Sequence, residues 1–69
     1  MEIEELGKII KNRRKVLGLT IRDLADLTGM SKTTISQIER GDRNPTFDVL
    51  HSIFEYLNLE MKVEVKMRK

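Results

Sequence analysis

From Thr20 to Gly41 the chain reads TIRDLADLTGMSKTTISQIERG, two short amphipathic segments joined at Gly29, and no other stretch restricts its folding as much. Two helices that cross steeply need a small residue where their backbones approach, and Ala25 supplies it. The turn between them needs a residue that tolerates positive φ, which Gly29 does. The second helix needs two apolar anchors about one turn apart, and Ile35 and Ile38 provide them. Thr20 reads as the N-cap of the first helix, with Asp23 three residues on as a variant of the capping box. Ser31 reads as the N-cap of the second, which stops at Gly41. Lys32, Thr33, Ser36 and Gln37 are then left pointing outward near the start of the second helix. Each can hydrogen-bond a base edge or a phosphate.

The flanking sequence supplies further elements. Ile3, Leu6, Ile10 and Leu17 fall at roughly helical spacing, broadened by Ile9 and Val16, so residues 3–16 read as a helix. Gly7 inside it costs about 1 kcal/mol relative to Ala; either close backbone packing accounts for it or the helix starts later. Gly18 suits the position just past the helix end. Leu24, Ala25 and either Leu27 or Thr28 are expected to pack inward. A polar loop, Asp42-Arg43-Asn44-Pro45, precedes Thr46, which caps a last helix with the apolar stripe Phe47, Leu50, Ile53, Phe54 and Leu57. From Met61 to Met67 apolar and charged residues alternate without a break, the period of a strand with one buried face. A lone strand leaves its backbone groups unpaired, and no other segment reads as a strand. The expectation is an antiparallel ribbon with the same strand of a second copy, with Met61, Val63, Val65 and Met67 at the dimer contact. The alternative is a short lysine-rich tail without structure.

Sixty-nine residues make one domain with a modest core, divided here into residues 1–59 and a dimerisation strand over 60–69. A chain this short needs well-packed helices, a staple or a partner. It has no cysteine, which excludes disulfides, thiolate metal sites and thiol nucleophiles and fits a reducing cytoplasm. The N-terminus, MEIEEL, is acidic where a signal peptide is basic, and no apolar run approaches the roughly 20 residues that span a bilayer. A soluble cytoplasmic protein without membrane partners is expected. Net charge is only +2, but it is unevenly spread: residues 8–15 (KIIKNRRK) carry five basic groups, just before the helix pair. His51 is the only histidine, with no nucleophile or acid suitably placed around it. Asp23 and Asp26 read as a solvated helix face, and no glycine loop could cradle a phosphate. No enzyme activity, metal or cofactor is expected.

The run LGLTIRDLADLTGMSKTTISQIERGDRNPTFDVL resembles the lambda-repressor-like (Cro/C1, or XRE-type) helix-turn-helix family over about residues 6–59. The combination of Gly-Leu-Thr, Leu-Ala, Gly, Ile-Ser-Gln-Ile-Glu-Arg-Gly and a following Pro carries the resemblance. The alternating C-terminal segment is similar to HipB-type antitoxins, which dimerise through a β-ribbon. The implied fold is mainly α, a four- to five-helix DNA-binding domain plus one C-terminal β-strand pairing across a dimer.

The resemblance also implies roles. The second helix of the pair would lie in the major groove with its N-terminal residues on base edges. Lys32, Thr33 and Gln37 would be base readers with Ser36 beside them; lysine suits guanine, glutamine suits adenine, and the Thr33 methyl can meet a thymine methyl. Phosphate contacts would come from Thr20 and the helix start behind it, and from Arg13, Arg22, Arg43 and Asn44. Arg14 and Glu39 occupy the positions of a structural ion pair, and Arg40 fits either role. Ile21 departs from the glutamine usual at the first position of that helix, so its phosphate contact is lost or replaced by Arg22 or the Thr20 hydroxyl. The implied function is a homodimeric, sequence-specific repressor on a pseudo-palindromic operator of double-stranded DNA, associated with the nucleoid. The alternative is an antitoxin that binds a toxin protein and autoregulates its operon.

Overall fold

The computed structural model describes residues 1–66 and contains four helices: α1 (Ile3–Val16), α2 (Ile21–Thr28), α3 (Lys32–Arg40) and α4 (Phe47–Leu57). The caps fall where the sequence places them. The hydroxyls of Thr20, Ser31 and Thr46 accept the N–H groups of Asp23, Thr34 and Val49 at 3.0, 3.0 and 3.2 Å, each satisfying a donor that the first helical turn leaves free. Gly29 ends α2 at φ +73°, the left-handed conformation that reverses the chain into α3. α1 starts without a side-chain cap; Glu4 and Glu5 in its first turn and Arg13, Arg14 and Lys15 in its last complement the helix dipole instead.

Helices of this length are marginal alone, and packing holds them. Ile10 of α1, Leu24 and Ala25 of α2, Ile35 and Ile38 of α3, and Ile53, Phe54 and Leu57 of α4 close into one core. Each fully buried Ile or Leu contributes about 1.5–3 kcal/mol. Gly7 is buried where α1 crosses the end of α3, so near that a Cβ would stand 2.5 Å from the Glu39 carbonyl oxygen and 2.6 Å from that of Ile38. Of the two explanations for this glycine, close packing is the one observed; α1 begins at Ile3, ahead of it.

Two expectations need correction, in α1 and α4, and in α2 one of two alternatives is decided. The apolar stripe of α1 is narrower than its sequence suggests: Val16 is 74 % exposed, and Ile9 and Leu17 are also exposed, while Ile10 alone of the stripe is fully buried. In α4, Phe47 stays 66 % exposed at the first helical position and stacks on His51, ring centroids 6.1 Å apart. In α2, Leu27 is exposed, whereas the Thr28 hydroxyl turns back to donate to the Leu24 carbonyl at 2.8 Å.

At the C-terminus the expected strand does not form within the single chain. Among the described residues there is no strand and no fifth helix, and residues 61–66 carry no regular structure. A strand exists only as part of a ladder, and a single chain offers this segment no partner. Met61, Val63 and Val65 are exposed, Val63 at 95 %, and Met67 lies outside the described residues.

Candidate nucleic-acid interface

The register of α3 decides which side chains can meet a ligand. Ile35, Ile38 and Glu39 face inward and are buried. Successive residues turn by about 100°, so Thr33, Ser36, Gln37 and Arg40 share the outward side, with Lys32 and Thr34 on opposite flanks. Lys32, Thr33 and Arg40 are exposed, and Ser36 and Gln37 half-buried.

On the Lys32 flank, α3 forms one wall of an open groove of about 800 Å³ whose other walls are the end of α1 and the start of α2. Lys15, Arg22, Lys32 and Arg40 bring four cations to it, with Thr20, Thr33 and Ser36 between them. Ile21 also lines this groove and packs its inner side on the core, so it cannot replace the hydrogen bond of a glutamine. On the Thr34 flank lies a smaller cleft of about 360 Å³, bordered by Thr34, Arg43, Asn44, Pro45 and the start of α4. The expected contact residues thus fall on both sides of α3: Thr20 and Arg22 with Lys32 on one, Arg43 and Asn44 on the other. Gln37 stands on the ridge between the two clefts.

Arg13 is elsewhere. Its Nε donates to the Leu57 carbonyl oxygen at 2.8 Å, closing one of the carbonyls left open at the C-terminus of α4. A cation there suits the dipole of α4, and the bond ties α1 to α4. The phosphate contact expected of Arg13 has no support from this placement. Lys15 and Thr34, not singled out by the sequence, line the two clefts. The basic run 8–15 contains the signal for Lys15; Thr34 carries none, since a threonine in a first helical turn is commonplace.

Beneath α3, Arg14 holds Glu39 in a bidentate pair, Nε to Oε2 at 2.7 Å and Nη2 to Oε1 at 3.0 Å, with both side chains buried. Its Nη1 donates to the Leu19 carbonyl at 2.8 Å, so one guanidinium joins α1, the approach to α2 and the end of α3. The hydrogen bond from Glu39 raises the Arg14 pKa above its ordinary value against the opposing effect of burial. The geometry is that of a buried ion pair tying α1 to α3.

At the start of α2 the capping box is complete: the Thr20 N–H donates to Asp23 Oδ2 at 2.8 Å in return for the Asp23 N–H to the Thr20 hydroxyl. The Thr20 N–H, followed by its hydroxyl, holds the Asp23 carboxyl below the usual range. An anionic carboxylate therefore already sits at this helix end, and both the Thr20 N–H and its hydroxyl are engaged with Asp23. Arg40 bonds Asp42 at 3.0 Å on the surface, a pair worth little in stability. Among the described residues no group of three His, Cys, Asp or Glu side chains could hold a metal ion, and no helix is long and apolar enough to cross a membrane.

The chain is similar to known proteins in sequence and in fold. An uncharacterised HTH-type transcriptional regulator of Mycobacterium tuberculosis is 37% identical over 57 residues, 83% of this chain and 41% of the relative. The chain therefore spans less than half the length of that protein. The ImmF control region 10 kDa protein of Bacillus phage phi105 is 37% identical over 60 residues, 87% of this chain and 67% of the relative. The restriction-modification controller protein C.Esp1396I, solved as a tetramer in complex with its natural 35 base-pair operator, superposes with a TM-score of 0.78 at 34% identity, over 84% of this chain and 76% of the other. The helix-turn-helix family pattern itself matches residues 10–63, from the buried Ile10 to beyond α4. The chain belongs to the helix-turn-helix family of XRE or Cro/C1 type.

Proposed function

We propose that the chain is a sequence-specific, duplex-DNA-binding transcriptional regulator that inserts α3 into the major groove. The observation that carries this reading is the pair of cationic flanks on either side of one polar helix face. A helix in the major groove lies between two phosphate backbones, and its outward residues meet base edges. Arg22 with Lys15 and Lys32 suits one backbone, and Arg43 with Asn44 the other. Thr33, Ser36 and Gln37, with the end of Lys32, then face the bases. The operator complex of the controller protein supports this reading by similarity. Cytoplasmic DNA is the implied partner, and the role is binding, not catalysis.

The regulator acts as a homodimer, in which residues 61–66 of two copies pair as an antiparallel ribbon. Val63 and Val65 favour this, because apolar side chains on alternate positions are left in water by a single chain. The antitoxin alternative gains no support: the relatives described above are named as regulator, control-region or controller proteins. Deletion of residues 60–69 should convert a dimer into a monomer in light scattering; a truncated chain that stays dimeric refutes the ribbon.

Fluorescence anisotropy tests the base readers. Against duplexes recovered by selection with the wild-type chain, Lys32→Ala/Gln37→Ala should lose discrimination over unrelated duplexes, at about 1–3 kcal/mol per bidentate contact removed. A double variant that keeps full discrimination refutes the assignment.

A further inference from the structure

We propose that Thr34 is a positioning residue that clamps Arg43 in place to grip a DNA backbone phosphate on the α4 side of α3; this rests on the duplex-binding reading above. The clamp follows from three hydrogen bonds that meet at Thr34 and Ser31. The Thr34 N–H donates to Ser31 Oγ at 3.0 Å, and the Ser31 hydroxyl donates to Thr34 Oγ1 at 2.9 Å. Arg43 Nη1 donates to the same Oγ1 at 2.8 Å, from a residue nine positions along the chain. An arginine can only donate, and a hydroxyl oxygen has two acceptor sites. Ser31 and Arg43 both bond Thr34 Oγ1, and since the guanidinium can only donate, the threonine oxygen holds it against the first turn of α3.

Arg43 spends one of its five N–H donors on Thr34 and keeps four. Those donors stand beside the smaller cleft, which Thr34 and Arg43 both line. An anchored guanidinium there fits an oxygen-rich monoanion, the phosphodiester. The neighbouring acid does not neutralise it, because the Asp42 carboxylate is taken by Arg40 Nε at 3.0 Å. Among the described residues no carboxylate forms an ion pair with Arg43.

The clamp also explains how a loop arginine can contribute. A free arginine loses much rotamer freedom when it binds, and one already anchored loses less. Ser31 is the anchor's foundation: its cap fixes the first turn of α3, and its hydroxyl turns the Thr34 lone pairs toward Arg43. Base reading and phosphate gripping are thereby set in register by one helical turn.

Anisotropy titrations at several salt concentrations test the clamp, with a labelled duplex recovered by selection and a second of unrelated sequence. Thr34→Val should weaken binding to both duplexes about tenfold, the scale of one hydrogen bond involving a charged group. Arg43→Gln should weaken both and lower the salt slope by about one per reading head. In the Arg43→Gln background Thr34→Val should add almost nothing, whereas with Arg43 present Thr34→Ser should keep near wild-type binding. Thermal melting of each variant accompanies the titrations, with Thr34→Ala replacing Thr34→Val if valine unfolds the chain. Wild-type affinity for Thr34→Val, or its full effect in the Arg43→Gln background, overturns the clamp and leaves the duplex reading standing. Failure of the wild-type chain to bind any duplex overturns both.

Discussion

Gly7→Ala should destabilise this protein, against the usual direction of that substitution in a helix. In a free helix the change gains about 1 kcal/mol, since alanine has the higher propensity. Here the new Cβ would lie 2.5 Å from one backbone carbonyl oxygen of α3 and 2.6 Å from another. Carbon and oxygen need about 3.4 Å for ordinary contact, so α1 and α3 must separate by about 0.5–0.9 Å. The obstacle is backbone, which cannot rotate aside as a side chain would. Overpacking of this kind costs about 1–3 kcal/mol and sometimes more, and a backbone clash belongs at the upper end. The net effect is a loss of about 2 kcal/mol, or about 8–16 °C in melting temperature for a domain of this size. Urea denaturation followed by circular dichroism measures it, with Lys8→Ala as an exposed neighbour that should change stability by less than about 0.5 kcal/mol. A Gly7→Ala chain as stable as the wild type, or more so, would show that α1 does not approach α3 in this way.

The Arg14–Glu39 pair gives a second expectation. Glu39→Gln leaves the buried guanidinium without its counter-charge and should cost about 3–5 kcal/mol. The joint replacement Arg14→Met/Glu39→Leu should cost clearly less than either single change, although the Leu19 carbonyl loses its donor; equal, additive losses in denaturation curves would contradict the pairing. Asp23 gives a dependence on pH. Its folded-state pKa lies below the ordinary value of 3.8, because the Thr20 N–H and hydroxyl favour the carboxylate. Its contribution is therefore full above the unfolded value and is lost as pH falls through the lower folded one. The stability gap between wild type and Asp23→Asn should be present at pH 6 and shrink below about pH 4; a gap independent of pH would rule out the capping carboxylate as its source.

Local chemistry made the helix pair readable in the sequence. Thr20 and Asp23 cap α2 across three residues, Gly29 needs only its own φ, and the spacing of Ile35 and Ile38 determines which side of α3 is buried. What the sequence hid depends on distant partners. Gly7 was ambiguous until the carbonyls of Ile38 and Glu39 were placed against it. Arg13 lies in a basic run that suggests phosphate, yet its bond is to Leu57, 44 residues away. Thr34 looks like an ordinary helix residue until the 42–46 loop folds Arg43 onto it. The exposure of Ile9, Val16 and Leu17 depends on which other elements reach each side of α1, which periodicity does not encode. Residues 61–66 alternate like a strand, but alternation specifies a face and not the partner that a ladder requires.

Selection of bound sites from a random duplex pool bears most directly on the proposal that α3 reads DNA as half of a symmetric pair. The expected product is an inverted repeat whose half-sites are centred about one helical turn, roughly 34 Å, apart, recovered by the wild-type chain and not by Lys32→Ala/Gln37→Ala. A pool that enriches no sequence contradicts base reading by α3, and one that enriches a single unrepeated half-site contradicts the dimer.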